Sequence, residues 1–127
     1  MIADTSHSPF ARVYGIPYRD VNWTNGLYRE RFETVASVTV PHLLRMFEGK
    51  ELSHVVENFR IAAGDAQGDF DGTVFGDGDF YKWFEAAVYT AAKTGNAALL
   101  DKLDEYISLF ARAQQPDGYL STKQIIG

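Results

Sequence analysis

The chain contains no cysteine. That excludes disulfides, and it excludes thiolate metal ligation or thiolate catalysis within these residues. Histidine is sparse, limited to His7, His42 and His54. None stands at ligand spacing from another or within a carboxylate pattern, so the sequence gives them surface or packing roles and assigns no metal site. Basic residues are fewer than acidic ones, 12 against 17, for a net charge of −5. A surplus of that sign argues against binding nucleic acid or anionic membrane, both of which need basic patches. No apolar run approaches the roughly 18 residues that a membrane-spanning helix requires. No Gly-rich phosphate loop follows a strand pattern, so nucleotide binding has no support. The opening Met1-Ile2-Ala3-Asp4 lacks the basic and apolar regions of a secretory signal. An excised signal would leave the same sequence, and localisation, cytoplasmic or exported, stays open.

What is present is a globular composition, 46% hydrophobic and 14% aromatic, in 127 residues, enough for one domain at most. The clearest pattern runs from Asp77 to Thr122 and predicts two antiparallel helices. Phe80, Trp83, Phe84, Ala87, Val88 and Ala91 form one apolar stripe at a period of 3.6. Leu99, Leu100, Leu103, Tyr106, Ile107, Phe110 and Ala111 form a second. The link Lys93-Thr94-Gly95-Asn96 offers a Gly for the first C-cap and an Asn for the next N-cap. So short a link makes the helices antiparallel. Asp77-Gly78-Asp79 and Gln114-Gln115-Pro116-Asp117-Gly118-Tyr119 therefore share one mouth.

Upstream, residues 1–23 read as an extended or irregular arm, mixing Phe10, Val13, Ile16 and Tyr18 with Pro9, Gly15 and Pro17. A long helix is expected from about Gly26 to Phe47, with Leu27, Arg31, Phe32, Val35, Val38, Leu43, Met46 and Phe47 inward. Pro41 removes a backbone donor and predicts a break or kink just before it, and Gly49 ends the segment. A shorter helix follows, starting near Ser53, with Leu52, Val55, Val56, Phe59 and Ala62 inward and a stop at Gly64. Asp65 to Gly78 is a long loop dense in Asp and Gly. It fails as a calcium-binding EF-hand loop: counted from Asp65, the sixth position is Phe70, where Gly is required, and the twelfth is Gly76.

Asp77 and Asp79 suit N-capping, with a hydrogen bond to a sugar hydroxyl as the functional alternative. Trp83 falls on the core stripe. Tyr81, Glu85 and Tyr89 make a second face, with Glu85 read as a buried structural carboxylate because nothing fixes a partner at glycosidase spacing. Pro116-Asp117-Gly118 is turn chemistry. Amides, a carboxylate and a Tyr gathered there are also the groups that bind sugars, through paired hydrogen bonds and stacking on an aromatic face. Asp79, Gln115, Asp117 and Tyr119 are therefore the candidate substrate-binding residues.

The series DGDFYKWFEAA, AQQPDGYLST and KQIIG resembles the N-terminal part of the catalytic domain of glycoside hydrolase family 127, the β-L-arabinofuranosidase family. Asp4-Thr5-Ser6-His7-Ser8-Pro9 and Glu57-Asn58-Phe59-Arg60-Ile61-Ala62-Ala63-Gly64 are similar too, so the resemblance runs from about Asp4 to Gly127. DGYL alone occurs in other α/α-toroid enzymes; the order and spacing of the set carry the likeness. The resemblance implies an all-α fold, an incomplete (α/α)6 toroid formed by residues 24–127, with the arm packed on a β-sandwich of the complete enzyme. It implies retaining hydrolysis of terminal β-L-arabinofuranosides by a zinc-bound Cys nucleophile, with two further Cys and a Glu on the zinc and another Glu as acid/base. All of these lie C-terminal to the matched part, so this segment itself is expected to hold no cofactor and no catalytic residue. It is read as the first part of a longer enzyme, supplying barrel wall and pocket rim and meeting carbohydrate through that parent. The alternatives are another α/α-toroid carbohydrate enzyme, of the unsaturated glucuronyl hydrolase or sugar epimerase type, or a non-catalytic helical interaction module. Oligomeric state is not legible.

Overall fold

The computed structural model describes residues 5–127, so Asp4, which opens the resemblance, lies outside the described residues. These residues are all-helical, with no strand among them. Residues 5–25 are irregular apart from a 3₁₀ turn at Tyr18–Asp20. The helices are α1 (Gly26–Thr34), α2 (Val40–Glu48), α3 (Val55–Ala62), α4 (Gly76–Thr94), α5 (Ala97–Ala113) and α6 (Thr122–Ile126).

Pro41 does not break the first helix. A π-helical turn at Val35–Thr39 joins α1 to α2, and the backbone stays in the right-handed region at Thr34, Val35, Thr39 and Val40. Proline cannot donate to the carbonyl of Ser37 and would collide with it in a regular α-helix. Widening the turn moves that carbonyl aside, so the helix absorbs the proline without a break. The helix ends at Gly49, whose N–H donates to the Arg45 carbonyl at 3.0 Å.

The α4–α5 hairpin forms as its stripes dictate. Gly95 adopts φ +67°, where an L-side chain is strained, and its N–H reaches the Ala91 carbonyl at 2.8 Å. Asn96 caps α5 by accepting from the Leu99 N–H at 3.1 Å. The core is aromatic. Phe80 is fully buried and stacks on Trp83 with ring centroids 5.3 Å apart. Phe47, Tyr106 and Phe110 meet Phe80 edge-on at 5.2, 5.1 and 5.8 Å. Trp83 adds the one polar bond its indole needs, donating to the Val40 carbonyl at 3.1 Å and tying α4 to α2. Glu48 joins α2 to α5, accepting from the Tyr106 hydroxyl at 2.7 Å and pairing with Lys102 at 2.9 Å. Burial raises the Glu48 carboxyl, but these hydrogen bonds and the Lys102 charge outweigh it and hold the group below the usual carboxylate range.

The arm is tied to α4 by one lysine and by ring packing. Lys93, in the last turn of α4, donates to the Arg19 carbonyl at 3.0 Å, to Asn22 Oδ1 at 2.8 Å and to the Val21 carbonyl. An ammonium has three donors, and all three are used. Tyr18 packs its edge on Tyr89, 5.4 Å between centroids.

Several residues expected inward face outward. Leu27, Val38 and Leu52 are 60, 59 and 76% exposed, and α1 buries no residue at all. On α5, Leu100 and Ile107 are exposed, whereas Leu109 and Ala113 are buried in addition to Leu103 and Tyr106. The periodicity located these apolar faces, but the six helices of the described residues do not cover all of them. Exposed apolar surface of this extent drives association. The purified chain is therefore expected to be helical by circular dichroism and to self-associate or bind a hydrophobic dye. A compact monomer in sedimentation velocity, melting cooperatively without binding dye, would contradict this.

Candidate functional site

The two ends of the α4–α5 hairpin do meet at one mouth, through a contact the sequence did not reveal. Asp77 Oδ2 accepts from the Thr122 N–H and Asp77 Oδ1 from the Thr122 hydroxyl, both at 2.8 Å. Thr122 is fully buried. Asp77 therefore satisfies the first orphan donor of α6 and fixes the chain leaving the mouth. This corrects the capping assignment. The N-cap of α4 is Phe75, without a side-chain cap, and Asp77 and Asp79 both lie inside the first turn. There they still oppose the positive end of the helix dipole.

Asp79 is two residues from Asp77, and residues at that offset do not share a helix face. Its carboxylate pairs with Lys82 at 3.0 Å, and no hydrogen bond or ion pair joins it to the other three candidates. Those three stand in one turn. The Gly118 N–H donates to the Gln115 carbonyl at 2.8 Å, and the Gln115 N–H donates to the Tyr119 carbonyl at 2.9 Å. Asp117 Oδ1 accepts from the Tyr119 N–H at 2.9 Å, and Gln114 Nε2 donates to the Gly118 carbonyl at 2.8 Å. Gly118 has φ +88°, which favours glycine. The turn thus occupies one oxygen of Asp117, while Gln115 and Asp117 stay exposed and Tyr119 is about half exposed.

On α4, the Tyr81 hydroxyl oxygen is buried without a hydrogen-bond partner among the described residues. Burial, and secondarily the negative charge of Asp77, push its pKa up to about 12, so it remains a donor throughout the neutral range. Glu85 is exposed, contrary to its reading as a buried structural carboxylate.

The Asp/Gly loop folds back onto α3. Buried Asn58 holds its backbone with both ends of the amide: Nδ2 donates to the Asp71 carbonyl at 2.7 Å, and Oδ1 accepts from the Asp71 N–H at 3.3 Å. His54, at the start of α3, stands 3.3 Å from Asp71 Oδ2. Asn58 sits on the apolar face of α3, and that misplaced polar residue was the sequence signal for this bracket.

The zinc implied by the resemblance finds no ligand set here. Among the described residues, no three His, Asp or Glu side chains gather closely enough to hold an ion, and the sequence has no cysteine.

The described residues form an all-helical fold whose α4–α5 hairpin carries a polar, aromatic mouth at one end. Comparison with known proteins makes this specific. Residues 20–127 match the family model described as "Beta-L-arabinofuranosidase, GH127 catalytic domain". The chain belongs to this family. It is 47% identical over 70 residues to a non-reducing end β-L-arabinofuranosidase of Bifidobacterium longum subsp. longum, a match covering 55% of this chain and 11% of that protein. It is also similar to the crystal structure of a GH127 β-L-arabinofuranosidase from Geobacillus stearothermophilus T6, with a TM-score of 0.80 and 38% identity, covering 84% of this chain and 18% of the other. The chain thus spans under a fifth of the length of either relative. The fold is accordingly a part of an (α/α)6 toroid, and the epimerase, glucuronyl hydrolase and interaction-module readings have no supporting observation.

Proposed function

We propose that this chain supplies barrel wall and pocket rim to a retaining glycoside hydrolase acting on terminal β-L-arabinofuranosides. Asp79, Gln115, Asp117 and Tyr119 are the side chains that meet the sugar. The observation that carries the reading is the family match across residues 20–127, which takes in the entire hairpin and its mouth. The turn supports it: it fixes its own backbone yet leaves an amide, a carboxylate oxygen and an aromatic face toward solvent. Such groups orient a sugar by paired hydrogen bonds and stacking. The nucleophile, the acid/base and their zinc would come from sequence other than these residues, as the resemblance implies.

The test uses the Geobacillus enzyme with residues 20–127 of this chain in place of the matched segment. Asp117→Ala and Tyr119→Phe in that chimera are expected to lower kcat/KM by about tenfold or more, equivalent to roughly 1.4 kcal/mol of transition-state binding. Melting temperature should shift little. Loss of stability without a separate loss of kcat/KM would make Asp117 and Tyr119 turn residues alone.

A further inference from the structure

We infer that the hollow between the start of α3 and the Asp/Gly loop is a hydroxyl-binding subsite that takes the diol edge of a sugar ring, with His54 and Asp71 as its binding pair. The inference rests on the carbohydrate reading above and extends it to residues that reading does not use. The hollow measures about 90 Å³ and is lined by Ser53, His54, Asn58, Asp71, Thr73 and Gly76, among others. Gly76 immediately precedes Asp77, so the hollow adjoins the mouth.

The site is built rather than incidental. Asn58, 3% exposed, uses its whole amide to fix the Asp71 backbone. Gly72, at φ +103°, turns the chain over His54 in a conformation that L-side chains rarely adopt. Between them they hold the Asp71 carboxylate 3.3 Å from the His54 imidazole.

The lining selects the ligand class. A metal ion would find only His54 and Asp71, with no third His, Asp or Glu close by. An anion would meet the Asp71 carboxylate, and no Lys or Arg lines the hollow. A neutral polyol fits, because each hydroxyl both donates and accepts, as do the Ser53 and Thr73 hydroxyls and the imidazole, while the carboxylate accepts. The hollow is a small surface recess, so it takes a ring by an edge rather than enclosing it.

The chain labelled with ¹³C in its His and Tyr rings is titrated with L-arabinose, and the His54 signals are assigned by their loss in His54→Phe. The His54 signals are expected to shift saturably. Thr73→Val, at an exposed position that keeps the side-chain volume, is expected to weaken that response at least threefold. Sodium phosphate and calcium chloride are expected to leave His54 unmoved. A Tyr119 response with His54 silent overturns the subsite and leaves the pocket-rim reading standing. A His54 response to phosphate or calcium but not to arabinose overturns the ligand class. A saturable His54 response to arabinose beside an inactive chimera upholds the subsite while the hydrolase reading falls.

Discussion

The 127-residue chain on its own is expected to leave p-nitrophenyl β-L-arabinofuranoside intact, at a rate indistinguishable from the buffer blank. Retaining hydrolysis by carboxylates needs two such groups roughly 5–5.5 Å apart across the sugar. Of the carboxylates near the mouth, Asp77 is held on Thr122, Asp79 pairs with Lys82, Asp71 stands beside His54, and one oxygen of Asp117 takes the Tyr119 N–H. Glu85 is exposed on α4, with nothing to hold it against a second carboxylate. The thiolate route implied by family resemblance requires cysteine, and the sequence has none. Together these amount to a loss of the whole rate enhancement, not a partial defect. Release of p-nitrophenol by the purified chain, persisting in a metal chelator, would contradict the assignment.

Phe80→Ala is expected to unfold the chain or nearly so. Phe80 is fully buried and lies in ring contact with Phe47, Phe59, Trp83, Tyr106 and Phe110, so it joins α2, α3, α4 and α5. Truncating a buried Phe costs about 3–5 kcal/mol, the transfer of the ring plus the cavity it leaves. A domain of this size has only about 5–15 kcal/mol in total, and the uncovered faces of α1 and α5 place this one toward the lower end. Urea denaturation in dilute solution, followed by circular dichroism, should show most of the stability gone. Ile107→Ser, at an exposed position on α5, should change it by no more than about 0.5 kcal/mol. A Phe80→Ala loss below about 1 kcal/mol would mean that the aromatic cluster is not the core.

What was legible in the sequence was what a single helix determines by itself. The stripe through Phe80, Trp83, Ala87 and Ala91 lies on a helix of nineteen residues, long enough for the period to identify its buried face. Gly95 and Asn96 mark a helix end and a helix start through local backbone chemistry alone. The family motifs in the same stretch carried the fold class. What was missed depends on partners distant in the chain or on one ambiguous residue. Pro41 signals that a hydrogen bond is lost, but not whether the helix breaks or widens, and here it widens. Asp77 looks like a cap because its true partner, Thr122, lies 45 residues on. His54 reads as a surface or packing residue, because Asp71 comes beside it only where the Asp/Gly loop folds back. Leu27 and Leu52 obey their local pattern yet face solvent, since periodicity shows which face is apolar and not what covers it.

As proposed above, these residues form working barrel wall and pocket rim of a β-L-arabinofuranosidase. The most direct measurement is hydrolysis of p-nitrophenyl β-L-arabinofuranoside by the Geobacillus enzyme carrying residues 20–127 of this chain in place of its own matched segment. A folded chimera is expected, with kcat/KM within about tenfold of the unaltered enzyme, a difference of roughly 1.4 kcal/mol. A chimera that melts as the unaltered enzyme does, yet leaves the substrate uncleaved, would contradict it.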